Sequence, residues 1–363
     1  MDNVKSIILA FKDSIDEQLE IKLQLTGAER SAVHELARIN KLYSFTVYAQ
    51  DSTNTKYITI TKIAPENKIE INNKFIETFS YWSSVPIPTT HPKYFEYSLD
   101  LLNQYYNARK QFELFFEAVK KENGVTQYVN KIMQLINTMN DDLKQIIDTN
   151  KLSVSTIEDK SFIKKQTIYS HDGHGKTFIS IDIRKANYTV SKMLFPELYQ
   201  GTESWVEYIS KYTDDKFIHQ SKMFREVMFG KNSFYRKMLE FAPQLLKLAK
   251  EYLDIQNDII ISLGGDEMIL CADKISKEEF NIMKTKLNDK FPDHFSIEMF
   301  KLVRLDNRPY YVKEYIDGDY EFKCCPKKIL FQCIKKYTEN PIVEEDLKFM
   351  DEFGVATFDS PIF

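Results

Sequence analysis

Cysteine and histidine are scarce in this chain, with Cys 4 and His 6 among 363 residues. The cysteines are Cys271, Cys324, Cys325 and Cys333, and no Cys-x-x-Cys pair occurs. So few thiols and imidazoles in this arrangement argue against a structural zinc site. We read all four as reduced thiols of an intracellular protein. No apolar run reaches the length a membrane span requires, and Met1–Leu9 lacks an adequate signal-peptide core. The expectation is a soluble protein, cytoplasmic or nuclear, with no membrane partner. A net charge of -4 gives no whole-chain attraction to nucleic acid, so any basic surface has to be local. Internal repeats and low-complexity segments are absent.

What is present suits a folded domain of some size. A hydrophobic share of 43% and a charged share of 28% are ordinary for a globular chain. The length allows one large domain or two to three smaller ones. Phe 26 and Tyr 21 form a large aromatic set, mostly core, with some rings free to stack on bases. The abundance of Lys, Asn and Ile suggests an AT-rich coding genome.

Periodicity predicts an α+β fold. Residues 1–80 carry helical patterns at 4–19 and 28–41, then strands at Tyr43–Tyr48, Tyr57–Ile63 and Lys68–Ile71. Pro86, Pro88 and Pro92 mark a linker or extended crossing, and 81–160 then reads as a helical spacer. Its apolar stripe runs through Leu99, Leu102, Tyr106, Phe112, Phe115, Phe116 and Val119, and a second helix covers Val125–Ile147. Residues 161–300 open with a hairpin pattern about His171–Lys176, turn helical over Ser204–Leu253 and helical again near Lys277–Lys290. Residues 301–363 add a hairpin at Tyr310–Cys325, a short helix at Ile329–Tyr337 and an acidic tail.

The sharpest local signal is Ser262-Leu-Gly-Gly-Asp-Glu-Met-Ile-Leu270. Ile259–Ile261 and Leu263 read as a buried strand and Met268–Leu270 as its returning partner. Gly264 and Gly265 allow a tight turn that leaves Asp266 and Glu267 at the tip. Neighbouring carboxylates repel unless a cation offsets them, which suggests a divalent-metal site. An ordinary surface hairpin with an acidic turn would carry the same residues.

Two further constellations bear on function. Glu29-Arg30-Ser-Ala-Val-His34-Glu-Leu-Ala-Arg38 places Arg30 and His34 on one helical face, with Val33, Leu36 and Ala37 turned inward. Residues 15–75 resemble the single-stranded nucleic-acid-binding domain named for its Arg-x-x-x-His motif. The likeness includes Leu25-x-x-x-Glu29-Arg30, Leu36-Ala37 and the step Leu42-x-Ser44; the Gly usual after that serine is not evident. The resemblance implies that Arg30, His34 and Arg38 or Lys41 contact phosphate.

The second constellation is Phe178-Ile-Ser-Ile-Asp182-Ile-Arg184-Lys185-Ala-Asn187, an apolar strand that ends on an aspartate before a turn and a helix. Between Asp182 and the acidic hairpin lies the cationic segment Ser221–Arg236, with Lys222 and Arg225 one helical turn apart, and with Phe229 and Tyr235 as stacking candidates. A strand aspartate, a basic helix and a second acidic strand make the layout of a polymerase palm, where carboxylates from different strands hold two cations against a triphosphate.

Residues 176–272 resemble the palm and fingers of family A DNA polymerases. Asp182 falls in the first metal motif, and Asn187 stands where that family places a sugar-discriminating Glu. Arg225-x-x-x-Phe229-Gly230 is similar to its Lys-x-x-x-Phe-Gly, and Gly265-Asp266-Glu267 to its His-Asp-Glu. The interval from Asp182 to Asp266, 84 residues, is shorter than in full polymerases of that family. Gly264-Gly-Asp-Glu267 also resembles the signature loop of diguanylate cyclases, with Met268 in place of their Phe.

Residues 301–336 hold nine Lys or Arg and five Asp or Glu, so we expect Lys313 and Lys323 on a basic strand platform for nucleic acid. A solvated strand face is the plain alternative. After Tyr337 the sign reverses, with seven acidic residues and Lys348 as the single basic one.

The combined expectation is a small N-terminal α/β single-strand-binding module, a helical spacer, and a polymerase-like palm with antiparallel sheet and helical fingers. Its function is extension or modification of a nucleic-acid 3′ end by metal-dependent nucleotidyl transfer. Asp182 and Asp266 would bind two Mg²⁺ (or Mn²⁺), with Glu267 assisting; Lys222, Arg225, Asn187, Phe229 and Tyr235 would meet the nucleoside triphosphate. Single-stranded or primer-template nucleic acid is the expected partner, within a larger replication or transcription complex. The alternatives are a catalytically inactive palm scaffold that binds single-stranded RNA or DNA, a cyclic-nucleotide-forming palm enzyme, and a structural or interaction protein of a large DNA virus or similar AT-rich genome.

Overall fold

A computed structural model of the chain describes residues 2–14, 18–21, 29, 32–33, 36–37, 39–40, 42–48, 56–61, 69–150, 166–199, 201–232, 234–273 and 275–363. Backbone contacts divide it into two units, Met1–Glu70 and Ile71–Phe363. The fold is α+β, with twelve α-helices and antiparallel sheets among the described residues.

In the first unit, α1 (Asp2–Asp13) carries Val4, Ile8 and Phe11 on one face, at the spacing of an amphipathic helix. They pack with Ile21, Ile58 and Ile60 from a three-stranded sheet and with Val33, Ala37 and Leu42. The strands are β1 (Gln18–Ile21), β2 (Tyr43–Tyr48) and β3 (Lys56–Thr61), in the order β1-β3-β2. The helix expected to run to residue 19 stops at Asp13, and Gln18–Ile21 is a strand instead. Its Leu19 and Ile21 alternate with polar residues and pair with Ile60 and Ile58. The strand expected at Lys68–Ile71 is not formed over the described residues 69–71. Val33 and Ala37 turn inward as read from the sequence; Arg30, His34, Arg38 and Lys41 lie outside the described residues.

The second unit begins with four helices: α2 (Asn73–Ser83), α3 (Phe95–Tyr106), α4 (Ala108–Lys121) and α5 (Val125–Asn150). The Asn72 side chain caps α2 by accepting from the Phe75 N–H at 3.0 Å. The stripe expected along one helix is split at Asn107, whose φ of +51° is left-handed, a conformation Asn tolerates better than most residues. The break folds α4 back on α3. Phe75 and Phe79 then meet Phe95, Phe112 and Phe115, edge to face except for the tilted Phe79–Phe115 pair, with centroids 5.3–6.1 Å apart.

β4 (Thr177–Ile183) lies at the centre of the larger sheet. Helices α6 (Ala186–Leu194), α7 (Trp205–Ser210), α8 (Lys216–Gln220), α9 (Lys222–Gly230) and α10 (Tyr235–Tyr252) follow it. Next come β5 (Ile260–Gly264), β6 (Glu267–Cys271), α11 (Lys277–Lys290) and β7 (Phe295–Arg304), then β8 (Tyr311–Tyr315), β9 (Tyr320–Lys323) and α12 (Leu330–Tyr337). The antiparallel sheet has the order β5-β6-β4-β7-β8-β9. Two interlocked strand–helix–strand crossovers thus set β4 between β6 and β7.

Ile179, Ile181 and Ile183 of β4 share a face with Met268, Leu270, Ile297 and Met299, and α10 and α11 pack on this sheet. The opposite face carries Phe178, Ser180 and Asp182. Before β4 the expected hairpin is not formed in the described residues: His171–Gly173 is a single helical turn. Gly173 sits so close to Ile168 that a Cβ would lie 2.1 Å from its carbonyl oxygen, so a side chain there would displace the turn.

Most acidic residues of the tail are exposed, yet the tail is pinned to the rest of the unit. Asp346 is buried, accepts from the Tyr97 hydroxyl of α3 at 2.5 Å and from the Val343 N–H at 2.8 Å, and so docks the tail on the helices. The hairpin β10 (Lys348–Asp351) and β11 (Gly354–Thr357) follows, with the Met350 N–H bonded to the Pro88 carbonyl.

Phe79→Ala empties a fully buried site among three other rings and should destabilise the protein by about 3–5 kcal/mol. Urea denaturation measures it; a loss below about 1 kcal/mol would show that this aromatic layer is not the core of the helices.

Candidate functional site

β5 and β6 are joined by a two-residue loop, Gly265-Asp266, because Gly264 pairs with Glu267. Gly265 takes φ +62° at the first loop position, which a II′ hairpin turn requires and a side chain resists. Asp266 is therefore at the exposed tip, while Glu267 is the first residue of β6 and stands directly opposite Asp182 on β4. The Ile183 N–H donates to the Asp266 carbonyl at 2.9 Å, which ties the loop to the end of β4. The sheet brings Asp182, Asp266 and Glu267 together, as their motifs predicted. It adds Glu298 of β7, which lies opposite Ser180 on the face that carries Asp182.

This concentration of negative charge has a measurable consequence. Burial, and then the carboxylates of Asp266, Glu267 and Glu298, push the Asp182 carboxyl up to about 7, with Lys313 opposing. Lys313, on β8, is the cation that holds the cluster together. Its side chain is 5% exposed, its ammonium donates to Glu267 Oε1 at 3.3 Å, and it lies 4.4 Å from the centre of the Phe300 ring. The Ser180 hydroxyl donates to the same Glu267 oxygen at 2.6 Å. Glu267 is thus satisfied within the protein, whereas Asp182, Asp266 and Glu298 are paired with no cationic side chain among the described residues.

Lys313 therefore departs from its expected role as a nucleic-acid contact: it is buried and ion-paired. Lys323, on β9, pairs with Glu321 at 2.7 Å, and Glu321 also accepts from the Tyr315 hydroxyl at 3.0 Å. The excess of basic residues in 301–336 does not form a free platform at these two positions, because acidic residues of the same sheet face neutralise them. Lys323 and Glu321 are two apart on one strand and share a face, a spacing visible in the sequence, whereas Lys313 reaches Glu267 only through the pairing of distant strands.

The cationic segment is two helices, α9 and α10, separated at residues 231–234. Lys222 is exposed and pairs with Glu226 at 3.6 Å. Arg225 turns inward, with its guanidinium 5.8 Å from the Trp205 ring and its Nη1 donating to the Ser221 carbonyl at 3.4 Å. Its charge is felt at Lys185, whose ammonium is lowered by burial and then by Arg225. Arg225 and Lys185 are thus a neighbouring pair of cations, and Lys185 is three residues beyond Asp182. Lys185 was missed in the sequence because its left-handed turn, φ +47°, gives no motif.

Phe229 is fully buried among Trp205 and its neighbours and offers no face to a base, which corrects its assignment as a stacking residue. Its helical spacing suits a core position as well as a ligand site, and packing decided between them. Asn187, on the first turn of α6, and Tyr235, at the start of α10, are half-buried.

Among the described residues no three or more His, Cys, Asp or Glu side chains are gathered closely enough to form a ready metal cage. The raised Asp182 carboxyl nevertheless fits a cation, because a positive ion would relieve the repulsion that adds to burial in raising it. Among the described residues no helix is long and apolar enough to cross a membrane. Compared with known protein families, curated proteins and solved structures, the chain has no match.

Two predictions follow from the charges. An aspartate raised from 3.8 to about 7 contributes its full relative stability below pH 3.8 and loses it as pH climbs through 7. Asp182→Asn cannot ionise, so its stability relative to wild type should rise with pH. We expect about 2 kcal/mol by pH 8, discounted because the carboxyl keeps part of its water. Denaturation midpoints from pH 4 to 8.5 in metal-free buffer measure the gap, and a constant gap contradicts the raised carboxyl. Lys313→Met should destabilise by about 2 kcal/mol, moderated because Glu267 keeps a 35% exposed side chain, and Glu267→Gln added to it should restore most of the loss. Failure of the double variant to recover would show that Lys313 acts through packing alone.

Proposed function

We propose that the chain is a metal-dependent nucleotidyltransferase with a polymerase-like palm, acting on a nucleic-acid 3′ end with nucleoside triphosphates. The observation that carries this reading is the juxtaposition of Asp182 and the Asp266 loop on adjacent strands, with the Asp182 carboxyl raised by burial and by its neighbours. Two Mg²⁺ or Mn²⁺ ions held by Asp182 and Asp266 would supply charge stabilisation for in-line attack and departure of pyrophosphate. The protein's own part is to hold both carboxyls side by side at the strand end, in a negative field that a cation would relieve. Lys313 and Ser180 hold Glu267 in place, and Glu267 maintains the negative field beside Asp182. Arg225 and Lys185 supply positive charge for the phosphates, and Lys222 and Tyr235 lie on the helices that frame that side. Asn187, five residues beyond Asp182, is the candidate contact for the sugar.

The N-terminal unit, with its Arg30–His34–Arg38 motif, fits delivery of a single strand in this reading. One observation favours the second reading, an inactive palm scaffold that binds single-stranded nucleic acid. Lys313 already neutralises a carboxylate that a working site would leave for metal or substrate.

Labelled primer-templates of DNA and RNA, offered with each nucleotide set and Mg²⁺ or Mn²⁺, separate the readings. Metal-dependent extension should fall at least about 100-fold in Asp182→Asn and in Asp266→Asn, with single-strand binding retained. Extension that survives both substitutions would refute the assignment. Primer-independent conversion of triphosphate to a cyclic product would move the reaction to the cyclase class.

A further inference from the structure

A second cavity stands apart from the carboxylates, at the far end of the same sheet. Three segments distant in sequence build it: the turn at His171–His174, the β7–β8 turn that carries Arg304 and Arg308, and Ile362–Phe363. They border an open cleft of about 640 Å³, within the range of small-molecule sites. Hydrogen bonds fix all three. The Arg304 N–H donates to His174 Nδ1 at 3.0 Å, Arg304 Nε and Nη2 donate to the carbonyls of Arg308 and Asn307 at 2.9 and 2.7 Å, and Arg308 Nη2 donates to the Ile362 carbonyl at 3.3 Å.

The charges at this cavity are unbalanced. Every polar partner that the structure gives the two guanidiniums is a backbone carbonyl, so both keep their positive charge and donors to spare. The acidic group in the wall, Asp306, is paired with Lys336 at 3.0 Å. Because His174 Nδ1 accepts a backbone N–H, its neutral ring carries the proton on Nε2 and is a further donor. Phe363 adds an aromatic wall, braced edge to face on Tyr310 at 6.1 Å. Two guanidiniums and imidazole donors match phosphate oxygens, and a ring beside them suits a base.

We propose that this cavity binds a nucleotide, its phosphates on Arg304, Arg308 and the two histidines and its base against Phe363. β7 runs unbroken from Ser296, opposite Asp182, to Arg304, eight residues or about 26 Å along the strand, so one nucleotide cannot reach both sites. The cavity is a second site, for an effector or a second substrate, and it does not rest on the catalytic reading.

Calorimetric titration of the full chain with ATP and GTP in EDTA tests this, since chelation removes metal-dependent binding at Asp182 and Asp266. Wild type should bind at micromolar to millimolar concentration. Arg308→Gln and His171→Gln should each weaken binding by about tenfold, and Asp266→Asn should leave it unchanged. Inorganic phosphate should compete only weakly, because it lacks the base. His171→Gln, on an exposed turn, decides the matter if Arg308→Gln disturbs folding. Absence of binding, binding indifferent to His171→Gln, or tighter binding of an oligothymidylate than of either nucleotide would overturn the proposal.

Discussion

The mutual repulsion of carboxylates on one face of the six-stranded sheet is the constraint around which the rest of the second unit is arranged. Antiparallel pairing of β4 and β6 puts Asp182 opposite Glu267 with no freedom to move apart, and the II′ loop adds Asp266 at the strand end. The fold answers with one buried ammonium, Lys313, pressed against Phe300, and with the Ser180 hydroxyl. These satisfy Glu267 and leave Asp182 strained toward protonation. A sheet meant only for stability would bury apolar residues there, as the opposite face does with Ile179, Ile181 and Ile183. Holding charge of one sign in this way is what a site for cations and phosphates requires.

The parts of this arrangement that are local in sequence were legible in it. The two apolar strands around Gly264-Gly265, the strand that delivers Asp182, the hairpin of β8 and β9, and the inward faces of Val33 and Ala37 follow from periodicity and turn chemistry. What eluded the sequence depends on pairing between distant segments. Lys313 looked like a surface cation until cross-strand register buried it beside Glu267, and Phe229 looked like a stacking residue until Trp205 packed against it. Gln18–Ile21 carried too short an alternation to compete with the helical pattern around it, and its partner β3 lies about forty residues on. The split at Asn107 turned on one left-handed residue within a continuous apolar stripe.

The cavity at Arg304 and Arg308 shows the same dependence in another form. None of its three segments carries a motif, and its positive character arises because Lys336 of α12 offsets Asp306 while, among the described residues, no carboxylate offsets the arginines in their hydrogen-bonded positions. One sheet thus has a negative end and a positive end, with β4 and β7 running between them. Electrostatic separation of that kind would keep a metal-bound triphosphate and a second nucleotide in distinct places.

The central claim is that Asp182 and Asp266 together hold divalent cations, and crystals grown with Mn²⁺ and a non-hydrolysable triphosphate test it most directly. Anomalous manganese peaks are expected within about 2.0–2.6 Å of carboxylate oxygens of both residues, with Lys313 still on Glu267. An ordered site in which Asp182 and Asp266 contact no manganese at saturating concentration would contradict it.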